Sequence, residues 1–216
     1  MEFDPIADRY DFLNHLLSLG QDFYWRAVMV KELNPLEGER ILDLATGTGD
    51  SAKAIVEKRV TVVGVDISFN MLLREKQKIS SYHYQICSGS GYALPFKSET
   101  FNGATCAFGI RNKHETTKAL KEIHHVLKRG GKMVFLEFSM PRGIIRTPYG
   151  FYLGKMLPFV AGIFSRRDAY DYLADSIKKF YAPEDFARII VDAGFSRCEK
   201  RSLSMGCVYV HIAYKD

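Results

Sequence analysis

Two glycines and two carboxylates fall within nine residues at LDLATGTGD, residues 42–50, which start inside the apolar run at 41–45. Gly47, Gly49 and Ala52 satisfy G-x-G-x-x-G/A, a spacing that lets the backbone approach a ligand closely. Asp66 ends a second apolar run at the distance this fingerprint requires, where it can accept hydrogen bonds from two ribose hydroxyls. The pattern predicts a site for an adenosine-containing ligand. The alternative is that the glycines serve only the geometry of the turn.

The acids that frame this turn indicate the kind of ligand. Asp43 stands directly before the turn, which favours a ligand with positive charge. Asp50 opens the following helix and would repel a pyrophosphate placed on its N-terminus. About 40 residues precede the first predicted strand, whereas a dinucleotide fingerprint is often near the start of its domain. The residues therefore favour S-adenosylmethionine, a cationic sulfonium, over NAD.

The elements that must position these residues alternate between strand and helix. Strand, turn, helix and strand form a βαβ unit, which predicts parallel strands in a sheet covered on both faces. Gly130 and Gly131 are expected to end one helix, and residues 139–180 are too long for a simple crossover, so we expect a lid there. Predicted strands are 41–45, 60–66, 82–87, 103–109, 132–138 and two antiparallel ones within 197–214; predicted helices are 50–59, 70–79, 115–128, 183–193 and two within 3–30.

Composition limits the class of protein. The 216 residues, 47% hydrophobic and 25% charged, suit one globular domain. The net charge of +5 is mild and dispersed, which argues against nucleic acid as a partner. We expect neither a membrane-spanning helix nor a signal peptide, because the apolar runs are short and the N-terminus is acidic. Four separated cysteines argue against zinc, other metal sites and disulfides, and they favour a cytoplasmic location: Cys87, Cys106, Cys198 and Cys207.

Further segments carry a family resemblance along nearly the whole chain. FGIRN at 108–112, LEFSMP at 136–141 and YDYLADSI at 170–177 follow the glycine turn in order. The N-terminal pattern YDxxNxxxSxG, followed by WR, is met by Tyr10, Asp11, Asn14, Ser18, Gly20, Trp25 and Arg26. The sequence resembles the class I S-adenosylmethionine-dependent methyltransferases, and more narrowly the quinone-biosynthesis C-methyltransferases.

The resemblance implies a Rossmann-like α/β fold with a mostly parallel seven-stranded sheet, helices on both faces and an antiparallel C-terminal strand. It implies one domain, made of an N-terminal helical cap (1–35), a cofactor-binding core (40–138), a lid that binds the acceptor (139–180) and a C-terminal helix with a hairpin (181–216). Expected cofactor contacts are Asp43, Gly47, Thr48, Gly49, Asp66, Ile67, Ser90, Gly91 and Ala107. The family usually carries Asp or Asn where Ser90 stands and Ser where Ala107 stands.

In this family the acceptor is a ring carbon beside a hydroxyl of a reduced quinone, and the enzyme favours the phenolate. By resemblance, Arg111 stabilises that phenolate or holds a water, and Asn112 orients a hydroxyl. Tyr10 would close over the cofactor, and Tyr172 would contact the acceptor from the lid. The alternative for Arg111 is a surface arginine that pairs with an acid, and the alternative for both tyrosines is a packing role.

The segment YGFYLGKMLPFVAGIF, residues 149–164, is apolar apart from Lys155. We expect this segment to form a buried pair of helices that lines an acceptor pocket. The arginines around it (Arg142, Arg146, Arg166 and Arg167) also suit peripheral contact with an anionic membrane, which is the second hypothesis. We expect methylation of a demethylated prenyl-quinol, demethylmenaquinol in the first place. Another small apolar acceptor, a scaffold without turnover and a homodimer remain open.

Overall fold

A computed structural model describes residues 15–79, 81–112, 115–157 and 167–216, and the side chains of Asn112 and of residues 167–171 are not described. Its strands are β1 (Arg40–Leu44), β2 (Thr61–Asp66), β3 (Tyr84–Ser88), β4 (Phe101–Ala107), β5 (Leu127–Phe138), β6 (Arg197–Leu203) and β7 (Val208–Tyr214). Its α-helices are α1 (Gln21–Leu33), α2 (Asp50–Val56), α3 (Phe69–Lys78), α4 (Thr116–Val126), α5 (Arg146–Phe151), α6 (Arg167–Lys179) and α7 (Pro183–Asp192). Short 3₁₀ turns cover Ile110–Asn112, Gly143–Ile145 and Ser204–Gly206, and a π-helical turn covers Tyr152–Met156.

Within the described residues the strands form one seven-stranded sheet in the order β3-β2-β1-β4-β5-β7-β6. The pairs among β1 to β5 are parallel, and β7 is antiparallel to both β5 and β6. The expectation of a mostly parallel seven-stranded sheet with an antiparallel C-terminal strand is confirmed. The predicted central strands and helices are present, with bounds that differ by a few residues.

Helices cover both faces of the sheet, which explains why its central strands are continuous apolar runs. Along β1, Ile41 packs on one face with α1 and α2, whereas Leu42 packs on the other face with α4 and α7. Val62 and Val63 divide between the same two faces in β2. A third, smaller apolar cluster joins the turn at Tyr152–Met156 to α6, within the predicted lid.

The helix before β5 ends earlier than the sequence predicts. We expected Gly130 and Gly131 to end it, but α4 ends at Val126 and β5 starts at Leu127, whose backbone is extended (φ −74°, ψ 141°). Leu127 is fully buried and pairs with Phe101 of β4, so burial in the sheet overrides the glycine signal. The two glycines lie instead where the register between β4 and β5 shifts.

Gly131→Ala should destabilise the fold. A Cβ at Gly131 would lie 2.8 Å from the carbonyl oxygen of Lys128 and 2.9 Å from that of Asn102, and neither backbone atom can move freely. We expect a loss of roughly 1–3 kcal/mol in the free energy of unfolding, measured by urea denaturation. Gly150→Ala is the matched control, because no atom of the described part of the chain lies within 4 Å of its Cβ position. Equal stability of the two variants would contradict this account.

Candidate active site

The glycine turn lies between β1 and α2, at the carboxyl edge of the sheet, where open α/β sheets bind ligands. Ala45, Gly47 and Gly49 all have positive φ, at 55°, 59° and 85°. The Thr46 amide donates to the carbonyl of Val65 at 3.2 Å, and the Gly49 amide donates to the carbonyl of Thr46 at 3.0 Å. The turn is therefore hydrogen-bonded to the end of β2 and closed by a hydrogen bond of its own.

Two buried acids lie against this turn and share one hydroxyl. Thr46 Oγ1 is 2.8 Å from Asp43 Oδ2 and 2.5 Å from Glu75 Oε1, and the Thr105 hydroxyl donates to Asp43 Oδ1 at 2.6 Å. Burial raises the pKa of Asp43 to about 6, although both hydroxyls act against the rise. Burial raises the pKa of Glu75 to about 9, and the charges of Asp43 and Asp66 add to that effect.

The geometry of Asp43 differs from its role in the sequence argument. We expected its carboxylate to face a cationic ligand, but it is 1% exposed, lies between two threonine hydroxyls and does not line the cavity beside the turn. Glu75 was not singled out by sequence reasoning. The available signal was an acid four residues after Met71 on a helix face that is otherwise apolar.

The end of β2 supplies the acid of the fingerprint. Asp66 Oδ2 accepts the amide hydrogen of Gly47 at 3.0 Å, and Oδ1 accepts that of Ser68 at 2.8 Å. Each oxygen keeps a second lone pair for a ligand hydroxyl. Ile67 is exposed, and Ser90 Oγ accepts the Tyr92 amide at 3.2 Å. Ile67 follows β2, whereas Ser90 and the buried Gly91 follow β3, and these two strands are neighbours in the sheet.

A cavity of about 680 Å³ opens beside the turn. Its polar wall includes Thr46, Gly47 and Thr48 of the turn. Most of the remaining wall is apolar and comes from several separate parts of the chain: Leu16, Leu17, Leu19 and Trp25; Ala107 and Phe108; Phe138; Tyr149, Tyr152, Leu153, Met156 and Leu157; Leu173 and Ile177; and Met205. Leu153 and Leu157 are buried, as a pocket built from the apolar segment would require.

Charged side chains connect the N-terminal segment to the glycine turn. Arg26 Nη1 donates to Asp22 Oδ2 at 2.7 Å, and its Nη2 lies 3.8 Å from Asp50 Oδ2. His15 Nδ1 lies 2.7 Å from Asp22 Oδ2, and Lys78 pairs with Asp50. His15, Asp22 and Asp50 could between them ligate a metal ion, but Arg26 and Lys78 already compensate the two carboxylates. The network therefore joins α1 to the start of α2.

The predicted catalytic residues have different surroundings. Arg111 lines the cavity, and its Nη1 donates to Glu137 Oε1 at 2.5 Å and to the carbonyl of Phe108 at 2.6 Å. Asn112 ends the same 3₁₀ turn, and Tyr172 is half-buried on α6 without lining the cavity. Tyr10 lies outside the described residues.

Two tyrosines of the predicted lid line the same cavity. The Tyr152 hydroxyl donates to the carbonyl of Leu17 at 2.6 Å, which fastens this segment to the N-terminal one. Burial raises the pKa of the Tyr149 hydroxyl, so it stays neutral and can donate a hydrogen bond. Sequence reasoning named neither as a site residue, because both stand within an apolar run.

The sheet order, the glycine turn and the adjoining cavity together define a Rossmann-like methyltransferase. The chain belongs to the ubiE/COQ5 methyltransferase family, whose model matches residues 2–215. It is 41% identical over 225 residues to the ubiquinone/menaquinone biosynthesis C-methyltransferase UbiE of Geotalea uraniireducens, covering 99% of this chain and 94% of that protein. It is 40% identical over 219 residues to the demethylmenaquinone methyltransferase of Thermobifida fusca, covering 99% and 93%.

The same fold occurs in a solved structure of low sequence similarity. A SAM-dependent methyltransferase from Thermotoga maritima superposes with a TM-score of 0.69 at 19% identity, covering 100% of this chain and 98% of that one. At this identity the likeness concerns the fold alone.

Glu137→Gln should destabilise the protein strongly. The side chains of Arg111 and Glu137 are 4% and 1% exposed, so the variant leaves a buried guanidinium without its counter-charge. We expect a loss of about 3–5 kcal/mol in the free energy of unfolding, measured by urea denaturation. Glu199→Gln is the control: it breaks an exposed ion pair with Arg197 and should change the free energy of unfolding by less than about 0.5 kcal/mol. A small effect of Glu137→Gln would show that the buried pair is not a structural requirement.

Proposed function

We propose that the chain methylates a ring carbon of a demethylated prenyl-quinol, demethylmenaquinol in the first place, with S-adenosylmethionine as donor. The observation that carries the proposal is the large, mainly apolar cavity that shares a wall with the glycine turn. The names of the relatives support the same substrate class, because both act in quinone biosynthesis by name.

The residues present fit an S-adenosylmethionine site. The positive-φ turn exposes backbone at the cavity wall, and Asp66 offers two oxygens with spare lone pairs at the edge of the sheet. In the proposed site, Thr48, Gly47 and Gly49 hold the amino-acid end of the cofactor, and Asp66 and Ile67 hold the ribose. Ser90, Gly91 and Ala107 complete the adenosine side. S-adenosylmethionine supplies an electrophilic methyl group.

The protein's part in the reaction is to hold the acceptor and favour its phenolate. In this proposal Arg111 provides positive charge at the cavity wall, although its strong pairing with Glu137 weakens that field. Asn112 orients a hydroxyl, and Tyr10 and Tyr172 act from the cap and the lid. The apolar walls exclude water and accommodate the prenyl chain, and holding both reactants together contributes to the rate gain.

The cofactor proposal is tested by calorimetric titration with S-adenosylhomocysteine. Asp66→Asn removes the charge and one acceptor, so we expect about 10- to 100-fold weaker binding, the range for a lost hydrogen bond to a charged group. The exposed Asp192→Asn is the control and should bind like the wild type. NAD should not bind. If both variants bind S-adenosylhomocysteine equally well, Asp66 does not contact the cofactor.

The acceptor is tested by turnover with reduced, short-chain demethylmenaquinol and by mass spectrometry of the product. Methylation of other small apolar phenols but not of the quinol would select the alternative acceptor class. Binding of S-adenosylhomocysteine without methylation of any acceptor would favour a scaffold without turnover.

The mouth of the cavity further supports peripheral membrane contact, through which a prenylated substrate would enter. Leu16, Leu19, Met156 and Met205 line the cavity and are also exposed. Of the arginines that the sequence singled out, Arg146 is exposed and Arg142 pairs with Glu184. Arg166 and the side chain of Arg167 lie outside the described part of the chain. None of the described helices is both long and apolar enough to cross a bilayer.

Flotation with anionic liposomes tests this contact. Leu19→Ser combined with Met205→Ser removes apolar area from the mouth and should lower the membrane-bound fraction. Leu36→Ser, at an exposed leucine that does not line the cavity, is the control and should float like the wild type. If the wild type does not float with lipid, with or without substrate, the membrane contact is refuted.

A further inference from the structure

The hydroxyl of Thr46 has one hydrogen but two acidic neighbours. Its Oγ1 lies 2.8 Å from Asp43 Oδ2 and 2.5 Å from Glu75 Oε1, and both distances are those of hydrogen bonds. A hydroxyl donates one hydrogen bond, and an ionised carboxylate only accepts. One of the two acids must therefore carry a proton.

The surroundings place that proton on Glu75. Asp43 receives a second hydrogen bond, from Thr105, and feels the positive charge of Arg26, so its ionised form is supported. Glu75 Oε2 is buried and has no hydrogen-bond partner among the described residues. A proton on Glu75 Oε1 lets this acid donate to Thr46, and Thr46 in turn donates to Asp43.

The charged and titratable groups that face Glu75 agree with this arrangement. They are Asp43 from β1, Asp66 at the end of β2, the buried Tyr84 phenol from β3 and Lys78 from α3 itself. The two aspartates oppose a negative charge on Glu75, and Lys78, which pairs with Asp50, supports one. Burial adds to the effect of the aspartates.

Glu75 also supports the other end of the glycine turn. A Cβ at Gly49 would lie 2.5 Å from Glu75 Cγ, so the acid packs directly under that glycine. It thus contacts the turn at both Thr46 and Gly49. A charge on Glu75 would face Asp43 across a single hydroxyl and push the turn away from its position.

We propose that Glu75 is a positioning residue: as a neutral acid it donates to Thr46, orients the Thr46 hydroxyl toward Asp43, and so fixes the glycine turn for cofactor binding. Cofactor affinity then depends on a proton that never takes part in methyl transfer. The proposal rests on the proposed function only in placing the cofactor at this turn.

The proton itself is tested without any ligand, by urea denaturation of the wild type and Glu75→Gln across a pH series. Burial raises the pKa of Glu75 from its ordinary value of 4.5 to about 9 in the folded protein, so the stability that Glu75 contributes is complete below pH 4.5 and is lost as pH rises to 9. The folding equilibrium constant of the wild type should fall relative to Glu75→Gln by up to about tenfold per pH unit within that window. Glu57→Gln, at an exposed position directly after α2, is the control and should show a constant difference. If the stability difference between the wild type and Glu75→Gln does not change with pH, the assignment of a proton to Glu75 is wrong.

The positioning role is tested by titration with S-adenosylhomocysteine as pH rises through 9. Above this pH the wild-type affinity should fall by about tenfold per pH unit relative to Glu75→Gln, whose amide donates but does not titrate. The ligand's own amino group affects both proteins equally, so the difference between their profiles isolates Glu75. At neutral pH, Glu75→Leu should bind about tenfold more weakly than Glu75→Gln, because leucine cannot donate to Thr46.

The possible failures are distinct. Coinciding affinity profiles for the wild type and Glu75→Gln, with both proteins folded, would overturn the positioning role. If the wild type does not bind S-adenosylhomocysteine at any pH, both the proposed function and the positioning role are refuted. The denaturation series then still decides whether Glu75 carries the proton.

Discussion

The site depends on how one buried hydroxyl, that of Thr46, is shared at the carboxyl end of β1. Asp43 and Glu75 are 1% and 0% exposed here, so their carboxyl groups take their hydrogen-bond partners from the protein. Asp43 obtains its partners from Thr46 and Thr105, and Thr46 is the one hydrogen-bond partner of Glu75 among the residues that the structure describes. These hydrogen bonds hold the turn at Thr46, and α2 starts directly after the turn at Asp50.

From the turn, order extends to parts of the chain that are distant in sequence. Asp50 at the start of α2 meets Arg26, which pairs with Asp22 and brings α1 against the sheet. The Trp25 indole donates to the Ser204 hydroxyl at 2.8 Å, across 179 positions of the sequence. The cavity therefore exists only in the complete fold, because each of its walls comes from a different part of the chain.

The sequence predicted the sheet well because its central strands are apolar runs separated by helices, a pattern that parallel packing on two faces requires. It predicted the end of α4 poorly, because burial of Leu127 in the sheet is a tertiary effect that the Gly130-Gly131 signal does not contain. The glycine turn could likewise be found from spacing. The partners of its acids could not, since Thr46 meets Glu75 across 29 positions.

The burial of Arg111 limits what this residue can do for an acceptor. Its side chain is 4% exposed, Nη1 donates to Glu137 and Phe108, and Nε donates to the Ser176 hydroxyl at 3.2 Å. A phenolate that binds Arg111 directly must compete with the Glu137 carboxylate for the same charge. Tyr149 lines the same cavity, and its hydroxyl is neutral. It can therefore donate a hydrogen bond to a phenolate without giving up an ion pair. In the proposed reaction, we therefore expect the acceptor oxygen to be stabilised by a hydroxyl donor together with the field of the Arg111–Glu137 ion pair, rather than by a free guanidinium.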